Sequence, residues 1–429
     1  RQRQMCIRDR YSIGYVHEAD IPVQYKLAEA FTVGDMYYES IISSTAPNRV
    51  SWFSGTINPP KGSKVNGTNK YMGGPTLDNR DSVGCERTDS GKPFSCVPLR
   101  WKTVPEYLQE AGISWRVYQD KDNFGDDPLV MWKQYQTSAK KKGDLAQRGT
   151  SFPGLQKFFD DARDGKLPEV AYIVAPMQLS EHPPYMPMDG AWLQGEVAKA
   201  VMHGKNWDST ALIYSYDETG GWADHVVSPS PPQSEESEWI EDPYDKSNGI
   251  APIGPGFRLP FYIVSPWTSG GHVFTEHAAH ESQIMFLEQW ALAHGKPFTS
   301  EEIPTWRREQ LSDLVKAFDF SSKDTSVPEV PHVRKPSQDI FTGHFNGADV
   351  CQAIHLKKVQ PDIPYKKLNP SNSMEVNKGF KRLRGDVTEG RRLTFEAHNR
   401  ALSHNGSKLK SSSSSKAVSY THLTLPTIC

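Results

Sequence analysis

Short apolar runs rich in β-branched and aromatic residues alternate with helical stretches over residues 11–320, and that alternation leaves few architectures open. Residues 113–118, 170–174, 211–216 and 258–264 read as strands. Residues 103–111, 191–202 and 282–293 read as helices, and a further helical pattern runs from 21 to about 38. Within the first, Thr103 is placed to cap, Glu106 to complete a capping box and Gly112 to end the helix. The spacing predicts an α/β fold with a mainly parallel sheet and helices on both faces. In such sheets ligands bind beyond the carboxyl ends of the strands, so the residues just after each strand are the ones to inspect.

The chain has 429 residues, with 49 Lys and Arg against 51 Asp and Glu. A net charge of −2 lacks the basic excess of a protein built around nucleic-acid phosphates. No run approaches the roughly 20 apolar residues of a membrane span. Beyond residue 321 the texture turns to Pro, Ser, Lys and Asn, which reads as a partly flexible extension over 321–417. Residues 5–10 and 418–423 can be back-translated into strings that are nearly reverse complements, as a transposon end used in DNA library preparation would be if read from each strand. Residues 1–10 and 418–429 are therefore set aside, and a missing N-terminal part, including any secretion signal, is expected.

Of the five cysteines, Cys6 and Cys429 fall in the excluded ends. Cys85 and Cys96 flank a polar loop that suits a hairpin disulfide, or they are two thiols of a reducing compartment. Sequons at residues 66–68 and 405–407 lean toward secretion. The lysines at 140–142 read as a solvated loop face.

Several residues could carry chemistry. Asp217 and Glu218 directly follow an apolar run, and Asp224 and His225 come shortly after. Adjacent carboxylates repel, and a divalent cation would relieve the repulsion while gaining oxygen ligands. The alternative is an acidic turn whose Asp224 and His225 bond the loop backbone. In Ser180-Glu181-His182-Pro183-Pro184 the prolines hold His182 on a rigid loop, suited to a phosphate or a general acid, or merely exposed at the surface. Thr45-Ala46-Pro47-Asn48-Arg49 sets a hydroxyl near a guanidinium, either a nucleophile with an anion clamp or a simple turn. His280 opens a helix, where anions are attracted. Tyr185, Trp192 and Trp222 could box a quaternary ammonium but read better as core.

Taken in order, these motifs, with Ile21-Pro22 and Leu27-Ala28-Glu29-Ala30-Phe31 before them, resemble the phosphoesterase family of phosphocholine-type phospholipases C and related acid phosphatases. Trp101, Thr103 to Glu106 and Ser114-Trp115-Arg116-Val117-Tyr118-Gln119 are similar to the phospholipase C branch, its fungal members especially, and residues 388–395 give a fainter echo. The resemblance implies an alkaline-phosphatase-like fold for 11–320, incomplete at its N-terminus. It implies Thr45 as a metal-bound nucleophile, Asp217 and Glu218 as a metal-ligand pair, and His182 and His280 as histidines that contact the phosphoryl group or protonate the leaving alkoxide. Asn48, Arg49 and His225 are expected at the phosphate, and Asp224 beside the metal.

The family also carries a Glu-Asn pair before this region that completes the metal shell. No such pair lies near Tyr11, so the natural protein is expected to be active while this chain binds metal poorly or not at all. Oxygen-rich ligation suits Ca²⁺, Mg²⁺ or Mn²⁺ and admits Zn²⁺. The expected function is secreted, metal-dependent hydrolysis of phospholipid diesters. A phosphomonoesterase and a non-catalytic lipid- or glycan-binding relative are the alternatives.

Overall fold

The computed structural model describes residues 16–59, 73–79, 83–87, 93–183, 185–242, 247, 249–338 and 345–346. Both sequons, Cys351, residues 388–395 and both excluded ends lie outside them. In chain order the first half holds α1 (Pro22–Ala30), β1 (Thr32–Gly34), α2 (Thr45–Ser54), β2 (Gly84–Arg87), β3 (Pro93–Val97), α3 (Val104–Glu110), β4 (Trp115–Tyr118), α4 (Lys133–Lys141), α5 (Asp144–Gly149) and α6 (Leu155–Asp164). The second half holds β5 (Val170–Ile173), α7 (Pro187–Met202), β6 (Leu212–Ser215), β7 (Trp239–Glu241), β8 (Ile250–Pro252), β9 (Phe261–Val264), β10 (Val273–Phe274), α8 (His280–Ala293) and α9 (Thr305–Gln310).

The local signals explain several of these. Helix α3 has the expected capping box: Glu106 Oε2 accepts from the Thr103 backbone N–H at 2.9 Å, and the chain leaves through Gly112 at φ +69°. The helical pattern at 21–38 stops at Ala30, because Thr32 and Val33 pair with Ile263 and Tyr262. β-Branched residues that can pair on both sides, here with β9 and β10, prefer the sheet to another helical turn. Lys140 and Lys141 lie in the last turn of α4, not in a loop, where their charge suits the helix dipole.

The sheet corrects the expectation of a mainly parallel arrangement. Its four-stranded part runs β10-β1-β9-β6, and β9 is antiparallel to both neighbours; only β1 and β10 run together, while β4 and β5 form a separate parallel pair. Between β6 and β9 the described residues make the β7–β8 hairpin and no crossover helix, so the chain returns in the opposite direction.

Helices pack on both sides of the β4–β5 pair. Trp115 and Val117 of β4 pack with residues of α2, α3 and α8, while Tyr118 packs with α1, α6 and α7. All four residues of β9 are buried, and each large apolar side chain there contributes about 1.5–3 kcal/mol. Residues just past 320 continue across this body: Val333 is buried among α1 and α7 side chains, and Trp207 Nε1 donates to Thr325 O at 3.0 Å. Cys85 and Cys96 face each other across β2 and β3 and are bridged.

Candidate active site

The carboxyl ends of β5 and β6 bring together the His182 loop and the Asp217–Glu218 pair. Both border a cavity of about 50 Å³ closed by Trp222, Asp224 and the 257–260 segment. A second cavity of about 350 Å³ lies between β5 and β6, each paired on one side only among the described residues, and is lined in part by Asp217, Arg49 and His280. Asp217 thus stands where the two cavities meet.

Helix α2 begins at Thr45, which lines neither of these two cavities. Thr45 is 8% exposed, and Arg49 lies one turn later on the same face. Arg49 Nε binds Asp217 Oδ2 at 2.9 Å, while its other nitrogens reach Asp126 O at 3.0 Å and Asp126 Oδ2 at 3.3 Å. This ion pair fastens the start of α2 to the end of β6. It also occupies the guanidinium, so Arg49 braces Asp217 and is not the open phosphate fork expected of it.

The acidic pair is strongly polarised. Burial works to raise the Asp217 carboxyl, but Arg49 outweighs it and holds the group below its usual range. Burial and then repulsion from Asp217 push Glu218 up to about 7. Glu218 Oε2 accepts from Gly220 N at 2.5 Å, in a turn where Gly220 and Gly221 both take positive φ. Close by, burial drives Glu39 up to about 8, with Glu218 and Asp217 adding to it, and its Oε2 is buried without a hydrogen-bond partner. This is a crowd of buried carboxyls, an excess of negative charge wherever they ionise.

A hard cation would answer that excess in charge and in donor type. Asp217 and Glu218 supply two carboxylates; among the described residues no group of three His, Cys, Asp or Glu converges as a ligand set.

That charge has a measurable consequence. Below the unfolded carboxyl value near 4.5 Glu39 is protonated in both states; as pH rises through about 8 the folded state loses the protons it had retained. In chelator, the melting temperature is expected to fall between about pH 5 and pH 8. Glu39→Gln should flatten part of that fall, with Glu218 supplying the rest. Identical slopes for the two proteins would contradict the assignment.

The histidines divide. His182 Nδ1 lies 2.7 Å from Pro183 O, which can only accept, so Nδ1 carries the proton and Nε2 is the lone-pair nitrogen of the neutral ring. The Phe124 ring packs against it, centroids 5.6 Å apart. His280 is buried and both ring nitrogens are engaged: Nε2 with Asp217 O and Nδ1 with the Tyr37 hydroxyl, each at 2.8 Å. Burial lowers its pKa, and the carbonyl partner fixes a neutral ring protonated at Nε2. The phosphoryl contact expected of His280 is therefore replaced by support of the Asp217 backbone.

Two further expectations are corrected. Asn48 is fully buried and ties down the preceding loop, accepting from Ile41 N and donating to Ile41 O, both at 2.9 Å. No part of its amide is left for phosphate. Asp224 is held by Arg258 through Nε at 2.7 Å and Nη2 at 3.0 Å, and accepts from His225 N at 2.7 Å. It braces a loop, and a metal there would have to displace a guanidinium. His225 is largely exposed beside it. Trp192 and Trp222 do not share one aromatic box: Trp192 packs on Phe345, and Trp222 lines the smaller cavity.

Glu39, Asp126 and Glu181 are the site residues that reading the sequence missed. Glu181 stood inside a singled-out motif, and Asp126 in an acidic pair ahead of Pro128, but neither spacing shows that the carboxylate is buried.

A family model described as the phosphoesterase family matches residues 2–292, reaching into the first ten residues set aside above. A non-hemolytic phospholipase C of Burkholderia pseudomallei is 33% identical over 352 residues, covering 75% of this chain and 47% of that protein. Its namesake in Pseudomonas aeruginosa is 34% identical over 383 residues, covering 85% and 50%. The chain thus spans about half the length of these relatives. A crystal structure of Ps i-CgsB shares 14% identity and a TM-score of 0.36, covering 73% of this chain and 74% of that one.

Proposed function

Because the chain belongs to the phosphoesterase family, we propose that it is a metal-dependent phosphoric-ester hydrolase, a phospholipase C that cleaves phospholipid diesters with Thr45 as nucleophile. The observation that carries this reading is the 2.9 Å bond from Arg49 to Asp217, which joins the helix start bearing Thr45 to the acidic strand end. The names of the bacterial relatives support the substrate class.

Thr45 opens a ten-residue helix, where unpaired N–H groups and the dipole favour an anionic phosphoryl group. Thr45, its hydroxyl proton released to solvent, attacks phosphorus through Oγ, forming an O–P bond as the bond to the leaving alkoxide breaks. Protonated His182 gives that alkoxide the proton it needs, a contribution of about 10²–10⁴-fold. Water then releases the phosphoryl group from Thr45, with His182 taking its proton. Asp217, Glu218 and the Thr45 hydroxyl would hold a divalent cation, which supplies a lowered hydroxyl pKa and neutralises phosphate charge. Arg49 and His280 keep Asp217 in place for that task. The Cys85–Cys96 bridge supports an oxidising, extracellular setting, and no described helix is long and apolar enough to cross a membrane.

The test is hydrolysis of p-nitrophenyl phosphocholine and p-nitrophenyl phosphate after chelation, with Ca²⁺, Mg²⁺, Mn²⁺ or Zn²⁺ added back. Diester turnover restored by a divalent ion, at concentrations high enough to fill a site short of its Glu-Asn ligands, and lost again in Glu218→Gln, is expected. Preference for the monoester would mark a phosphomonoesterase. Binding of lipid vesicles without turnover under any ion would mark a non-catalytic relative.

A further inference from the structure

The geometry points to Glu181 as a positioning residue that latches the His182 loop to the strand end carrying Asp217. Glu181 directly precedes His182 and takes φ +65°, a strained region for a residue with a side chain. Its carboxyl turns inward and is 5% exposed. Oε2 accepts from the Tyr216 hydroxyl at 2.5 Å, and Oε1 from Gln194 Nε2 at 2.7 Å and Gln24 Nε2 at 3.4 Å. These three donors come from the end of β6, from α7 and from α1. Tyr216 is the residue before Asp217, so one carboxyl links the backbone at His182 to the backbone at Asp217.

The surroundings are shaped to this latch. Gly190, in the first turn of α7, faces the Glu181 side chain, and a Cβ there would collide with Glu181 Cγ. All three hydrogen-bond partners are neutral, and burial raises the Glu181 carboxyl to about 7. A buried carboxyl without a cationic partner, next to strained backbone, is costly for folding. It is repaid by what it fixes: the backbone from which the imidazole projects one residue later.

The proposal rests on His182 as the proton donor of the reading above, and its test separates the two. In ¹⁵N-labelled protein the His182 imidazole signals are identified by their loss in His182→Gln. Glu181→Ala is expected to shift or broaden those signals in a folded protein. It should also lower kcat by about 10–100-fold with KM changed less than about twofold, the scale of a small misplacement of a reacting group. Glu181→Gln, which keeps the size and an accepting oxygen, should restore the signals and most of kcat. In the His182→Gln background, Glu181→Ala should cost almost nothing further.

Unmoved His182 signals in folded Glu181→Ala would overturn the latch whether or not the enzyme turns over. Additive losses in the double variant would overturn it too. Absence of turnover in the wild type would count against the proposed function alone, because the signals still report the latch. If Glu181→Ala fails to fold, Tyr216→Phe removes one of the three donors, and the same displacement, smaller in size, decides the question.

Discussion

Thr45→Ala is expected to remove turnover by at least about 10³-fold while leaving the fold intact, since losing a nucleophile costs more than losing any single supporting contact. Thr45 is buried at the first position of α2, and alanine suits a helix at least as well as threonine. Its neighbours in the ion pair, Arg49, Asp126 and Asp217, remain bonded to one another without it. Melting should therefore shift little, and Thr45→Ser should keep a large part of the rate. Lipid binding should persist in Thr45→Ala, separating chemistry from recognition. Steady-state kinetics and a thermal melt on the same preparations check both halves.

The largest expected loss of stability lies behind the site. Arg307 is 2% exposed and lies between two fully buried carboxylates, with Nη2 to Glu238 Oε2 and Nη1 to Glu281 Oε1, both at 2.8 Å. Nη1 also donates to Ser40 O at 3.0 Å, and Ser40 Oγ donates to Glu281 at 2.7 Å while accepting from His280 N at 3.1 Å. Arg307→Met would leave two buried carboxylates without a counter-charge. Breaking one side of such a cluster costs about 3–5 kcal/mol, each kcal/mol lowering the melting temperature by roughly 2–4 °C. Because the cluster holds the start of α8, His280 and the Asp217 backbone should loosen with it. Adding Glu238→Gln and Glu281→Gln should recover much of the loss, because it is the stranded charge that destabilises. Urea unfolding of the three proteins measures this, and a loss below about 1 kcal/mol in Arg307→Met would contradict it.

Features whose causes are local were legible in the sequence. The Thr103–Glu106 box sets α3 through contacts three residues apart, and the apolar run before Asp217 places the acidic pair at a strand end. Features set by distant partners were not. The direction of β9 depends on the route of the chain between 216 and 260, which the strand's own residues do not encode. Asp224 looked like a metal ligand until Arg258, 34 positions on, proved to hold it. Asn48 looked like a phosphate contact because its Ile41 partner lies in a turn that spacing does not reveal. Glu181, Glu39 and Arg307 were missed for a common reason: a charged residue in sequence gives no sign of burial, and burial is what makes each matter.

The most direct measurement is mass spectrometry of protein quenched in acid during turnover of p-nitrophenyl phosphocholine with an activating divalent ion. A phosphocholine ester on the peptide containing Thr45, missing in Thr45→Ala, is the predicted result. Steady turnover with that peptide unmodified and an adduct at another residue would contradict the nucleophile assigned here.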